Sequence, residues 1–325
     1  MPLAPIEPVT KLSELVLRVL GHNPGSFQLQ GTNMYLVGSG ASRILIDTGE
    51  GKEKDLPLLL TTMKEHGVQT LSDALITHYH HDHTGGIKNL LAHFGDALRV
   101  WKLPWSPGVL VPWNKLPHGP SFDMAALGVR MLSDGDVIKT ASGDATLRVL
   151  ATPGHTIDHC CFVLEEEGAL FSGDHVLGGS SGVFDDLHSY MKSLDKALEV
   201  LPQGAGGRIY PGHGPVIEDG HKGLLDYIAN RRMREAQVVD ALKGRFGRTF
   251  GLSPYGIVQC IYPQLSLTLQ LAAASNVEKT LHKLQKEGKA RPRELSPCPI
   301  RVPSFLPLAG ARVDVFLLKR WSSLP

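Results

Sequence analysis

The chain has 325 residues, is 42% hydrophobic and 20% charged, and carries a formal net charge of +1. That composition excludes a disordered chain, and no apolar run approaches the ~20 residues that a membrane-spanning helix needs. Four cysteines (Cys160, Cys161, Cys260 and Cys298) are too few and too irregularly placed for a disulfide framework, which fits a reducing compartment.

The opening stretch MPLAPIEPVTKLSELVLRVLG mixes Lys11 and Arg18 with Glu7 and Glu14. It has no basic region followed by an apolar core, so it is not read as a secretory signal, and its acids make it a poor transit peptide. Short β-branched runs then alternate with helical patterns. Strands are expected at Asn33–Gly38, Arg43–Asp47, Ala74–Thr77, Thr146–Leu150, Cys160–Leu164, Ala169–Gly173 and Arg208–Gly212, and helices near Leu56–His66, Gly86–His93 and Ser189–Leu201. Trp101–Ser121 contains Pro104, Pro107, Pro112, Pro117 and Pro120, a density that predicts a loop. Alternating elements of this kind predict a mixed α/β sheet architecture over residues 1–219.

Beyond Asp219 the pattern turns helical. One long helix is expected through Leu224–Gly244. A second follows Ser253 as N-cap with Pro254 at the first helical position. A third is expected from Ser275, where Glu278 completes a capping-box spacing and Val277, Leu281 and Leu284 share a face ahead of Gly288. Three helices before a possible strand pair suggest a small winged-helix-like domain over 220–289. Residues 290–325, rich in Pro and Arg, are expected to be an irregular, partly disordered tail.

Charge divides the same way. Residues 1–220 hold 16 Lys+Arg and 25 Asp+Glu, whereas residues 221–325 hold 17 and 7. A basic C-terminal third suggests an anionic partner, with a solvated basic surface as the bland alternative. Arg231, Arg232 and Arg234, with Lys243, Arg245 and Arg248, are candidates for tracking phosphates, as are Lys279, Lys283, Lys286 and Lys289.

The chemistry concentrates in THYHHDHTGG, Thr77–Gly86. His78, His80, Asp82 and His83 follow an apolar strand, and imidazole and carboxylate suit zinc and related divalent ions. On an extended exit from a strand, His78 and His80 project to one side, leaving Asp82 and His83 to face a second position. TPGHT places His155, FSGD places Asp174 and IYPGHG places His213, each after a predicted strand. Five histidines and two aspartates suffice for two nearly complete coordination spheres with an open position, the mark of a catalytic metal. His81 is expected at solvent. His159 and His175 are weighed as substrate or supporting groups, and Phe184 and Tyr190 as base-stacking rings against core packing. Turns at Asn23–Gly25 and Gly31–Asn33 are expected at the cleft rim.

With those segments in hand, the sequence resembles the metallo-β-lactamase-fold hydrolases: ILIDTG, THYHHDH, TPGHT, SGD and YPGHG match that family's signature in order and spacing. The resemblance implies an αββα sandwich with metals at one edge. It implies two zinc ions per chain, one bound by His78, His80 and His155, the other by Asp82, His83 and His213. Asp174 would bridge them, and Asp47 would orient the histidine loop. Asp82 and Asp174 would be the catalytic carboxylates. Further segments, among them TPGHTIDH, LEEEGALFSGDHVLG and YPGHGPVIEDG, resemble the branch that joins the sandwich to a C-terminal winged-helix-like domain. Its animal members act as endoribonucleases on single-stranded RNA in mitochondria.

That branch implies cleavage of a phosphodiester by a water ionised at the metals, leaving a 5′-phosphate and a 3′-hydroxyl. It also implies the mitochondrial matrix, with the cytoplasm as the alternative, and leaves monomer and homodimer open. Two other readings stand beside it: a thioester hydrolase of glyoxalase II type, and a silent RNA-binding member. Met34 departs from the small hydroxyl residue of many relatives, and the tail after Lys289 departs from the branch's ending.

Overall fold

The computed structural model describes residues 4–105, 123–203, 207–244, 251–293 and 320–323. Most of the proline-rich stretch, Arg245, Arg248, Cys298 and most of the tail lie outside the described residues. The chain forms two compact units, Met1–Ile228 and Ala229–Pro325.

The first unit contains two sheets. In one, β1 (Val9–Lys11), β2 (Val16–Leu20), β3 (Asn33–Val37), β4 (Ser42–Ile46), β5 (Thr70–Ile76), β6 (Arg99–Lys102) and β7 (Arg130–Met131) pair in chain order. Pairing is antiparallel up to β4 and parallel from β4 to β7. The other holds β8 (Val137–Lys139), β9 (Thr146–Ala151), β10 (Cys160–Leu164), β11 (Ala169–Gly173) and β12 (Ile209–Pro211) in the order β12-β11-β10-β9-β8. Only β11 and β12 run parallel there. Trp101 and Lys102, expected in a loop, belong to β6.

The period of two sorts side chains into layers. Tyr35, Val37, Ile44 and Ile46 of the first sheet meet Leu147, Val149, Phe162, Phe171 and Tyr210 of the second in a core between the sheets. Their neighbours Met34, Leu36, Leu45 and Ala74 turn outward to Leu59 and Met63 of α1 (Asp55–Glu65) and to Ile87 and Leu90. Ile87 and Leu90 belong to α3 (Ile87–Phe94), which follows the one-turn α2 (His81–Thr84). On the far side, Leu150, Cys161, Val163 and Leu170 pack under Leu187, Tyr190 and Leu194 of α4 (Leu187–Val200) and under Leu224 and Ile228 of α5 (Gly220–Lys243). The result is a four-layered αββα sandwich. Each large apolar side chain so buried contributes about 1.5–3 kcal/mol. Alternation also separates the adjacent thiols. Cys160 enters the central core and Cys161 the outer layer, and burial raises both thiols, Cys161 to about 12, which keeps them unreactive.

The second unit continues α5 and adds α6 (Pro254–Ile261) and α7 (Leu267–Lys286). Ser253 caps α6, its Oγ accepting from Gly256 N–H at 3.1 Å. Ser275, expected as an N-cap, lies inside α7, which starts two turns earlier after Ser266. Val277, Leu281 and Leu284 nonetheless share the buried face. The expected tail contributes a strand pair, β13 (Ala290–Arg293) with β14 (Arg320–Ser323). Trp321 is buried against this unit's core, and its backbone exchanges two hydrogen bonds with Leu252. Among the described residues no helix is long and apolar enough to cross a membrane.

Candidate metal centre

Every metal-ligand candidate sits just past the C-terminal end of a strand, so both sheets deliver ligands to one edge of the sandwich. The β5 exit carries His78 and His80 on extended backbone, then α2 carries Asp82 and His83. β9, β11 and β12 deliver His155, Asp174 and His213. The structure brings these into two groups, His78–His80–His155–Asp174 and Asp82–His83–His213.

In the first group His78 Nε2 lies 2.9 Å from His80 Nδ1, and His155 Nε2 lies 3.3 and 3.1 Å from those two atoms. In the second, His83 Nε2 and His213 Nε2 are 3.3 Å apart, and His213 Nε2 is 3.2 Å from Asp82 Oδ2. Asp174 divides its carboxylate: Oδ1 stands 3.4 Å from both His83 and His213, and Oδ2 stands 3.8 Å from His155. Ligands about 2.0–2.1 Å from a tetrahedral ion lie roughly 3.3 Å from one another, so both groups fit a divalent metal.

The outer nitrogens decide what faces inward. His83 Nδ1 is 2.8 Å from Asp47 Oδ2, His155 Nδ1 is 2.9 Å from Val183 O, and His213 Nδ1 is 3.1 Å from Gly31 O. His78 Nδ1 is 3.0 Å from Thr77 Oγ1, whose own proton goes to Asp47. Those acceptors hold the Nδ1 protons, so four Nε2 atoms converge. Asp174 Oδ1 is buried between His83 Nε2 and His213 Nε2. Converging imidazole nitrogens beside a buried carboxylate are stabilised by a cation, either a metal ion or protons on His83 and His213.

Asp47 organises this shell from a left-handed backbone (φ 57°), uncommon for any residue but glycine. Oδ1 accepts the Thr77 N–H at 2.9 Å while Oδ2 takes His83. His159 is also built in. Its Nε2 accepts the Asp174 N–H at 3.2 Å, and its Nδ1 is 2.9 Å from Thr152 Oγ1. His175 is buried with its ring against Tyr190.

Electrostatics split the groups. Burial, reinforced by neighbouring imidazoles, pushes His78 well below the ordinary imidazole range and His80 to about 3, so both stand neutral as ligands. Burial also opposes a charge on His83 and His213, but Asp47, Asp174 and Asp82 overcome it. His83 is raised well above its usual range and His213 to about 9. Despite desolvation, the same imidazoles hold Asp82 and Asp174 below the usual carboxylate range. The carboxylates thus create a negative field that draws protons when no cation is present. Metal uptake must displace those protons. Below pH 9 the apparent affinity for a divalent ion should therefore fall as pH falls, by up to about tenfold per unit for each proton displaced. Titration calorimetry in buffers of different ionisation enthalpy at pH 7 should show proton release, and pH-independent uptake would contradict it.

Some sequence candidates fall elsewhere. Phe184 and Tyr190 are buried in the outer core, 5.5 Å apart, and do not serve as stacking rings. His81 is half-buried on α2. Arg231 and Arg232 lie on α5 in the second unit. Lys283, offered as a phosphate contact, is buried and shared by Glu235 and Glu287 at 2.7 Å each. Gln28 carried no signal in the sequence, yet its Nε2 donates to Asp82 Oδ2 at 3.0 Å. The GTN turn joins the site through Gly31 O and through Asn33 Nδ2, which donates to Pro211 O and Gly214 O around His213.

Comparison with known proteins agrees with this layout. Residues 28–213 match the model of the metallo-beta-lactamase superfamily, and residues 253–294 match a beta-lactamase associated winged helix domain. A Caenorhabditis elegans protein named beta-lactamase-like protein 2 homolog is 38% identical over 87% of this chain and 88% of its own. The thioesterase pkgB of Emericella nidulans is 42% identical over 70% of this chain and 58% of its own. A beta-lactamase domain protein from Burkholderia ambifaria shares the fold, with a TM-score of 0.69 at 20% identity over 97% of this chain and 93% of that one.

Proposed function

Because the chain belongs to the metallo-beta-lactamase superfamily, we propose that it is a di-zinc endoribonuclease that hydrolyses phosphodiester bonds of single-stranded RNA. The observation that carries a hydrolytic centre is the divided carboxylate of Asp174, one oxygen turned to each group of imidazoles. His78, His80 and His155 would hold one ion, Asp82, His83 and His213 the other, with Asp174 between them. When bound, such a pair ionises a water at neutral pH and offsets charge on a scissile phosphate.

The chain's own residues then set the geometry. Asp82 is half-buried, and its carboxylate would serve both as a ligand and as the acceptor that orients a water activated at the metals. Gln28 holds Asp82 Oδ2 in place. The Asp47–Thr77–His78 chain and the Asp47–His83 contact keep imidazoles of both groups in the ligating tautomer, supplying the preorganisation the reaction needs. The basic composition of residues 221–325 favours a polyanionic substrate over a small ester.

A second reading, hydrolysis of an acyl thioester, is favoured by the name of the Emericella nidulans relative. Purified full-length protein given a labelled single-stranded RNA and, separately, an acyl thioester separates the two. The expected result is chelator-sensitive RNA cleavage leaving 5′-phosphate and 3′-hydroxyl ends. A 2′,3′-cyclic phosphate product, or turnover of the thioester alone, would overturn the RNA assignment.

A further inference from the structure

The turn between β9 and β10 carries more of the centre than its one ligand. It holds His155 and, at its far end, His159, whose Nε2 accepts the Asp174 N–H. Thr152 N–H donates to His159 O at 2.9 Å and closes the turn, and Asp185 N–H donates to Gly154 O at 2.7 Å. The first sheet reaches the same turn at two further points. Cys160 N–H donates to Thr77 O at 2.9 Å, immediately ahead of His78. Lys102, the last residue of β6, places Nζ 2.5 Å from Asp158 Oδ2 and 3.3 Å from Asp158 O. Asp158 Oδ1 in turn accepts the Thr156 hydroxyl at 2.6 Å, next to His155.

The side chains of Lys102 and Asp158 are both fully buried. A buried ion pair adds little stability that well-packed apolar side chains would not supply, because both charges lose their hydration. What it adds is direction. One ammonium group holds the backbone carbonyl and the carboxylate of the same residue, so the Asp158 peptide and side chain are fixed together. The other carboxylate oxygen passes that constraint to Thr156, and the chain passes it to His159. His155 and Asp174 are the parts of the centre so reached, and both belong to the group of His78 and His80. Asp82 and His83 lie on α2 and His213 follows β12; their outer contacts come from Gln28, Asp47 and Gly31 instead.

We propose that Lys102 and Asp158 are positioning residues of the metal centre, whose pairing holds His155 and Asp174 in register with His78 and His80. Their role rests on the two-ion centre proposed above and holds for either substrate.

The test reads zinc binding by full-length protein in competition with a chromophoric chelator at neutral pH, and follows the imidazoles by nitrogen NMR of histidine-labelled protein. Lys102→Met leaves Asp158 buried without its cation and should melt at lower temperature, so two further variants accompany it. The double variant Lys102→Met, Asp158→Asn removes both charges and should regain much of the thermal stability. Thr156→Val keeps the ion pair and cuts only its link to the residue beside His155. Each folded variant should bind one of its two zinc ions about tenfold or more weakly, the usual effect of losing a group that fixes a metal's ligands. At zinc levels that saturate the wild type, the His78, His80 and His155 signals should lose more of their zinc-induced shift than those of His83 and His213. A pair serving stability alone would change the melting temperature and spare the affinity. Wild-type affinity for both ions in the folded double variant or in Thr156→Val would therefore overturn the positioning role. Equal loss at both imidazole groups would overturn it too, because general loosening of the unit has that effect. Wild-type protein that takes up fewer than two zinc ions would sink the two-ion centre itself, before any variant is compared.

Discussion

Asp174→Ala should leave a folded protein that cleaves its substrate roughly a thousandfold more slowly or worse, equivalent to about 4 kcal/mol of lost transition-state stabilisation. The cause is electrostatic. Asp174 is the carboxylate that faces both imidazole groups, 3.4 Å from His83 and His213 on one oxygen and 3.8 Å from His155 on the other. Without it, each group keeps three donors and the shared negative charge is gone. Elemental analysis should find fewer than two ions per chain, and His83 and His213, raised in part by Asp174, should titrate lower by NMR. Asp174→Asn keeps the shape, loses the charge and should fall close to the alanine variant. Full metal content with full activity in either variant would remove Asp174 from the centre.

Gly212→Ala is expected to disable the centre without replacing any of its candidate ligands. A methyl group at Gly212 would stand 2.6 Å from Asp174 Oδ1 and 2.9 Å from His83 Cε1, closer than real carbon atoms approach. The backbone there has little freedom to retreat, because Gly212 N–H donates to Gly173 O and Gly212 O accepts from Asn33 N–H, both at 2.8 Å. Asp174 and His83 must move instead. A shift of that kind should cost about 10²-fold in activity, comparable to losing a supporting hydrogen bond, with about 1–3 kcal/mol of overpacking strain. Equilibrium dialysis against the metal and thermal melting, run side by side, separate the two effects. Wild-type metal affinity in a folded Gly212→Ala protein would show that the glycine serves the turn alone.

The converging histidines and aspartates were readable in the sequence because their residue types are unusual and lie beside glycines at the ends of β-branched runs. Strands β3, β4 and β9 to β12 stood out for the same reason. β2 and β6 did not. Arg18 interrupts the apolar run of β2, yet it is buried and its guanidinium donates to Thr10 Oγ1. The prolines that follow draw Trp101 and Lys102 of β6 into the expected loop, and Lys102 adds a charge to the strand, yet it is fully buried in an ion pair with Asp158. Local pattern cannot foresee a charge that a distant residue neutralises. Ser275 misled in the opposite sense: its capping-box spacing is real, but the preceding turns of α7 extend through Leu267, Leu269 and Leu271, whose exposed positions mimic an irregular segment. The contacts of part of the supporting shell were invisible for another reason, even where, as at Gly31, the turn itself is expected at the cleft rim. Val183 and Gly31 contribute only carbonyl oxygens, a service any residue type can perform, and Gln28 reaches Asp82 across 54 positions of sequence.

Because its donors are spread from His78 on the β5 exit to His213 beyond β12, the two groups are completed at different points along the chain. The β5 turn emerges from the ribosome long before its counterparts and, alone, offers only an incomplete grip on a metal. The first group needs the chain only as far as Asp174 beyond β11, whereas the second also needs His213 beyond β12, so a pair of ions would be completed only with the last strand of the second sheet.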